Sequence, residues 1–106
     1  MKKNLPNSQN AGIEIGAEGN CKIAGELSFE TAPGLLQDSK TIFRNNGGPL
    51  IVDLREVSRS DSAGLALLLE WMRMAKQTGQ SIVFHNIPVQ LRDIANVSGI
   101  GALLPS

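Results

Sequence analysis

The chain of 106 residues has one cysteine, one histidine, no net charge and no long apolar run. A lone Cys21 can form no intrachain disulfide and supplies no cysteine-based metal site, which fits a reducing compartment. Ten Lys+Arg balanced by ten Asp+Glu leave no basic footprint to neutralise phosphates, so nucleic acid is not an expected partner. No stretch approaches the roughly 18 apolar residues of a membrane span. Met1-Lys2-Lys3 is followed by polar residues and a proline up to Asn10, so the apolar centre of a signal peptide is missing. The expectation is a cytoplasmic protein with no direct membrane insertion.

Catalytic signatures are equally scarce. His85 closes a predicted strand and reads as an edge or surface residue, and no His/Cys/Asp/Glu cluster has metal-ligand spacing. No nucleophile elbow, phosphate loop or dinucleotide fingerprint occurs. Asn45-Asn46-Gly47-Gly48 is glycine-rich but follows a predicted helix, and a helix C-terminus repels phosphate. Asn96-Val97-Ser98 matches a glycosylation sequon, yet nothing directs the chain to a secretory route. The expectation is a protein that is not an enzyme and holds neither cofactor nor metal.

What is present is ordinary globular composition, 42% hydrophobic and 19% charged, at the length of one domain. Residues 1–11 are expected to be a flexible N-terminus and 12–106 a single domain. Ile13 and Ile15, then Cys21, Ile23 and Gly25, alternate at period two around Glu18-Gly19-Asn20, which predicts an antiparallel hairpin over 12–17 and 20–27. Thr31 is placed to cap a helix through Leu35, Leu36, Ser39, Ile42 and Phe43, stopped by 45–48. Leu50-Ile51-Val52-Asp53-Leu54 reads as a central strand covered on both faces. Ser81–His85 predicts another strand, and 86–99 a last helix followed by an apolar tail. The order β-β-α-β-α-β-α predicts an α/β fold. Its sheet should be mixed and mostly parallel, of about four or five strands, with helices packed against it.

The stretch from Val57 to Met72 carries the functional signal. It predicts a polar turn, Ser58-Arg59-Ser60-Asp61, running directly into a helix from Asp61 to Thr78 that Gly79 stops. Asp61 is a good N-cap, and Ser62 presents a hydroxyl beside free backbone N–H groups, where added phosphate would be stabilised. Leu65, Leu68, Leu69, Met72 and Ala75 share the natural core face. Leu67, Trp71 and Met74 form a second stripe, extended by Gly64 and Ala63. That stripe either packs on a neighbouring helix or forms an interface, for which an aromatic and a methionine beside small residues are suited. Ser62, Ala66, Glu70, Arg73 and Gln77 form the polar sector.

In this order and spacing, Gly25-Glu26-Leu27, Thr31-Ala32, Ile51-Val52-Asp53-Leu54, Asp61-Ser62-Ala63-Gly64-Leu65 and Ser98-Gly99 resemble the STAS family over residues 13–104. The resemblance implies the STAS fold. Members switched by phosphorylation look like Asp-Ser-Ser-Gly, with the second serine accepting phosphate; here that position is Ala63. Asp61 to Leu68 is instead similar to the MlaB-type branch, the STAS subunits of the Mla phospholipid ABC transporter of Gram-negative bacteria. That likeness implies a partner: the transporter's cytoplasmic MlaF-like ATPase subunit, in a complex with a membrane permease that maintains outer-membrane lipid asymmetry. It would hold the protein at the periphery of the inner membrane. Ser60, Asp61, Ser62, Gly64, Leu67 and Trp71 are the expected partner-binding residues, with Ser62 a candidate regulatory phosphosite. The alternative is a partner-switching regulator like the anti-sigma-factor antagonists.

Overall fold

The computed structural model describes residues 10–105; the expected flexible segment lies, for residues 1–9, outside them. Among the described residues, β1 (Ala11–Ile15) and β2 (Asn20–Leu27) form the expected hairpin. They are followed by α1 (Ala32–Ser39), β3 (Leu50–Ser60), α2 (Ser62–Thr78), β4 (Ile82–His85) and α3 (Val89–Val97). One four-stranded sheet has the order β1-β2-β3-β4, with β1 antiparallel to β2 and the remaining pairs parallel. Both crossovers step in the same direction, and right-handed crossovers of that kind place their helices on one face.

Burial follows that geometry. Ile23 and Leu27 of β2, Val52 and Leu54 of β3, and Phe84 of β4 point into the core. Lys22, Ile51 and Asp53 alternate with them and face the uncovered side. β3 is therefore covered on one face, in contrast to the two expected from its apolar run. The run looks continuous because Ile51 adds an apolar residue on the open face, where it pairs with Val83 of β4. β3 also extends through Ser60, so the expected polar turn at 58–61 is strand up to the helix cap.

α1 is shorter than its periodicity predicts. It gives way to a 3-10 turn at Lys40–Ile42, and Asn46, at φ 60°, takes up the left-handed backbone beyond it. Thr31 precedes α1 without capping it through its side chain. Its hydroxyl instead donates to the Glu26 carbonyl (2.7 Å) and accepts the Ser28 N–H (3.0 Å), bracing the β2–α1 corner. The apolar tail forms a second 3-10 turn, Gly101–Leu103, and ends beside β4, where the Phe84 N–H donates to the Pro105 carbonyl (2.8 Å).

α2 has neighbours on three sides: the sheet beneath it, α1 and α3. That accounts for its wide apolar arc. Leu65, Leu67, Leu68, Trp71 and Ala75 are all buried, while Leu69, Met72 and Met74 are half-buried against the same core. Trp71 is 1% exposed, and its indole N–H donates to the Ser39 hydroxyl at the end of α1 (2.7 Å). A buried indole needs such a partner. Gln80, also buried, accepts the Arg44 N–H (2.9 Å) and the Thr78 hydroxyl (2.7 Å) and donates to the Gly48 carbonyl (3.0 Å). It fastens the α1–β3 loop to the end of α2.

Trp71→Ala removes a fully buried indole and takes from the Ser39 hydroxyl the donor it accepts from. It is expected to cost about 3–5 kcal/mol, read as a shifted urea midpoint, against a total stability of about 5–15 kcal/mol for a domain.

A second expectation concerns pH. The Asn86 amide (3.0 Å) and the Arg55 backbone N–H (2.9 Å) both donate to the Asp53 carboxylate and hold its pKa below the ordinary value. A lowered folded-state pKa contributes stability that is fully present above the unfolded value of about 3.9. That contribution is lost as pH falls through the folded value. Thermal midpoints measured from neutral pH downward should therefore fall less steeply below about pH 4 in Asp53→Ala than in the wild type.

Candidate functional site

The parallel strands β2 and β3 end side by side, with Leu27 opposite Ser60, and α2 begins two residues later. In open α/β sheets, this carboxyl end of the strands is where binding groups gather. Three backbone features set the corner. The Asp61 N–H donates to the Leu27 carbonyl (3.3 Å). Gly64 lies so close to the same carbonyl that an added Cβ would sit 2.4 Å from its oxygen. The Asp61 carboxylate then spans the junction, one oxygen accepting the Ala63 N–H (2.9 Å) and the other the Phe29 N–H (3.2 Å).

Asp61 thus has two roles where the sequence indicated one. It caps α2, as expected, and it also draws the β2–α1 loop against the helix start. Phe29 is held in that loop with its ring 78% exposed. The site includes Phe29, which periodicity analysis passes over because it lies in no helix or strand pattern. An exposed aromatic on a pinned loop has already lost much of its backbone freedom, so less entropy is lost when a partner covers it.

The remaining expected residues divide clearly. Ser62 is exposed at the start of α2, beside Asp61. Ser60 is half-buried; its N–H donates to the Gln90 side chain (3.1 Å), which ties the end of β3 to the start of α3. That bond brings Val89, 74% exposed, to the same end of the molecule. Gly64, Leu67 and Trp71, by contrast, are buried. Their assignment as partner-facing is corrected: Gly64 permits helix–strand contact, and Leu67 and Trp71 fill the core. The outward face of α2 is instead Ser62, Ala66 and Arg73, with Glu70 half-exposed and ion-paired to Arg73.

Charge at this end is modest. Arg59 and Glu26 lie 3.6 Å apart across β2 and β3, so the local fields largely cancel. Among the described residues, no group of three or more His, Cys, Asp or Glu is placed to hold a metal ion, and no helix is long and apolar enough to cross a membrane. Cys21 is buried, and that burial pushes its thiol pKa up to about 11, which leaves it un-ionised near neutral pH. The arrangement offers an aromatic ring, a hydroxyl and small side chains on a rigid corner.

The family model described as "Mlab, STAS domain" matches residues 14–105. The chain belongs to the STAS family. Among curated proteins, the anti-sigma-B factor antagonist of Bacillus subtilis (strain 168) is 30% identical over 78 residues, 74% of this chain and 71% of that protein. Among solved structures, the anti-sigma factor antagonist SpoIIAA in its unphosphorylated form superposes with a TM-score of 0.67 at 22% identity, covering 89% of this chain and 84% of that one. An anti-sigma factor antagonist from Mycobacterium paratuberculosis gives 0.66 at 24%, covering 97% and 88%. A sulfate transporter family protein from Wolinella succinogenes gives 0.63 at 20%, covering 80% and 69%. At these identities the three structures establish the shared STAS fold, a mixed sheet with its helices packed against it.

Gly64→Ala should force the first turn of α2 off the Leu27 carbonyl at a cost of about 1–3 kcal/mol. Asp61→Ala should lose about 0.5–2 kcal/mol as a cap and should also speed amide exchange at Phe29. Hydrogen exchange followed by NMR separates the two: exchange at Phe29 should accelerate in Asp61→Ala beyond the change that global stability accounts for.

Proposed function

We propose that the protein is a non-enzymatic STAS subunit that binds and supports the cytoplasmic ATPase of a phospholipid ABC transporter. The partner is a MlaF-like subunit in complex with a membrane permease that maintains outer-membrane lipid asymmetry. The protein would then be cytoplasmic and reach the inner membrane only through that partner. The observation carrying this reading is Ala63. It occupies the first turn of α2, where phosphorylation-switched members have their second serine, and it has no hydroxyl to modify. Its amide is taken by the Asp61 carboxylate. The corner is a fixed surface rather than one rewritten by charge at that position. Ser62 and Phe29 are its exposed contact groups, and Ser60 and Asp61 hold them in place.

A second reading is a partner-switching regulator, favoured by the 30% identity to the anti-sigma-B factor antagonist. In that case Ser62, whose hydroxyl is exposed beside the positive end of α2, would take the phosphate.

The test is co-purification of the full chain from native membranes. Ser62→Glu and Phe29→Ala should each keep the thermal midpoint within a few degrees of wild type and lose the ATPase. For Phe29→Ala the loss in affinity should be at least about 2 kcal/mol, as for an interface anchor. Retention of the ATPase by both folded variants would remove this corner from the interface. Stoichiometric phosphate on residues 58–62 after incubation with ATP and a cognate kinase, seen by intact mass, would select the second reading.

A further inference from the structure

The two edges of the sheet are finished differently. At β4, the Phe84 N–H is taken by the Pro105 carbonyl, so the chain's own tail covers that edge at one point. At β1, no strand among the described residues pairs with the outer side. Native sheets usually guard such an edge with proline, a bulge or a charge aimed along it. The β1 sequence Ala-Gly-Ile-Glu-Ile has neither proline nor bulge, and its one charge, Glu14, lies opposite Lys22 of β2.

Hydrogen-bond phase decides what that edge can accept. The Gly16 N–H donates to Asn20, and Asn10 accepts from the Glu26 N–H. Both bonds use even-numbered residues of the hairpin's first arm. Because the phase alternates along an antiparallel strand, Gly12 and Glu14 also turn their backbone groups inward. Ala11, Ile13 and Ile15 turn theirs to the outer edge. We infer that this edge pairs antiparallel with the same edge of a second copy of the chain, about a two-fold axis at Ile13.

The register is self-complementary. Ile13 faces its own copy, and Ala11 faces Ile15, so every outward backbone group in the five-residue strand meets a donor or acceptor. Glu14 falls opposite Gly12, which avoids the like-charge contact that would oppose self-pairing. On the core-facing side, Ile15 is 51% exposed in the single chain and would lie opposite the partner's Ala11. The two-fold axis runs perpendicular to the joined eight-stranded sheet. Both helical layers therefore share one face, and the two Ser62 corners point to opposite ends and stay free. A ladder of five residues is short against the roughly 1,200 Å² buried in a stable complex, so the association depends on concentration.

Sedimentation equilibrium of the full chain from about 10 μM to about 1 mM tests this. The expected result is a mass rising from 11.3 kDa toward twice that value. Ile13→Pro removes an outward N–H without touching the ladder to β2. Ile15→Lys puts a charge on the exposed end of the same edge. Each should weaken self-association at least about tenfold, with the far-UV spectrum retained. As an independent readout, Ile13→Cys should oxidise to a covalent dimer, because facing residues in this pairing lie about 5.5 Å apart, within disulfide range. A monomer at every concentration overturns the inference. So does a dimer that keeps its affinity in both Ile13→Pro and Ile15→Lys.

Discussion

The first turn of α2 rests against the backbone of β2, and it can do so because residue 64 carries no side chain. The Leu27 carbonyl meets the Asp61 N–H on one side and the Cα of Gly64 on the other. A Cβ at that position would push the helix away from the strand. Everything at this end of the molecule is measured from that contact. With α2 held there, the Asp61 carboxylate reaches both its own helix and the Phe29 amide, and Ser62 projects from the turn they fix.

The rest of the core secures the other end of the same helix. Trp71 spans from α2 to the end of α1 and gives its indole proton to Ser39, a buried hydroxyl that in turn donates to the Leu36 carbonyl. Gln80 sits just past the Gly79 cap, holds the α1–β3 loop through two hydrogen bonds, to the Arg44 N–H and the Gly48 carbonyl, and accepts a third from Thr78 of α2. Buried polar groups satisfied in this way resist sliding, because displacement leaves donors and acceptors unpaired in a low dielectric. α2 is thus clamped at its start by close backbone contact and at its end by polar side chains. A helix held at both ends suits a surface that presents fixed contacts.

With all three helices on one face, the opposite face of the sheet is open, and its side chains are a mixture of signs: Lys22 and Arg55 against Glu14 and Asp53. That mixture matches the zero net charge and gives no broad field to steer a highly charged partner. If the Ser62 corner is the contact surface proposed above, recognition there depends on shape and on a few groups, chiefly the Phe29 ring and the small residues around it. Membership of the STAS family accords with the mixed sheet and its single layer of helices. The transporter role proposed above rests on one missing hydroxyl at Ala63.

Element order, the hairpin with its second strand at 20–27, the Asp61 cap and the Gly79 stop were all legible in the sequence, while the first strand begins and ends earlier than the expected 12–17. Each depends on local chemistry: period-two alternation, turn residues, a carboxylate before an apolar helix and a glycine after it. The STAS pattern was legible for the same reason, since its motifs are short and local. Three features were decided only by tertiary structure. Leu67 and Trp71 are core residues because α1 and α3 flank α2, and a helical wheel cannot count a helix's neighbours. The strand at 50–54 has one open face because both crossovers turn the same way, which is a property of the whole sheet. Phe29 joins the site because a carboxylate 32 residues further along the chain captures its amide, and no local pattern encodes a bond of that span.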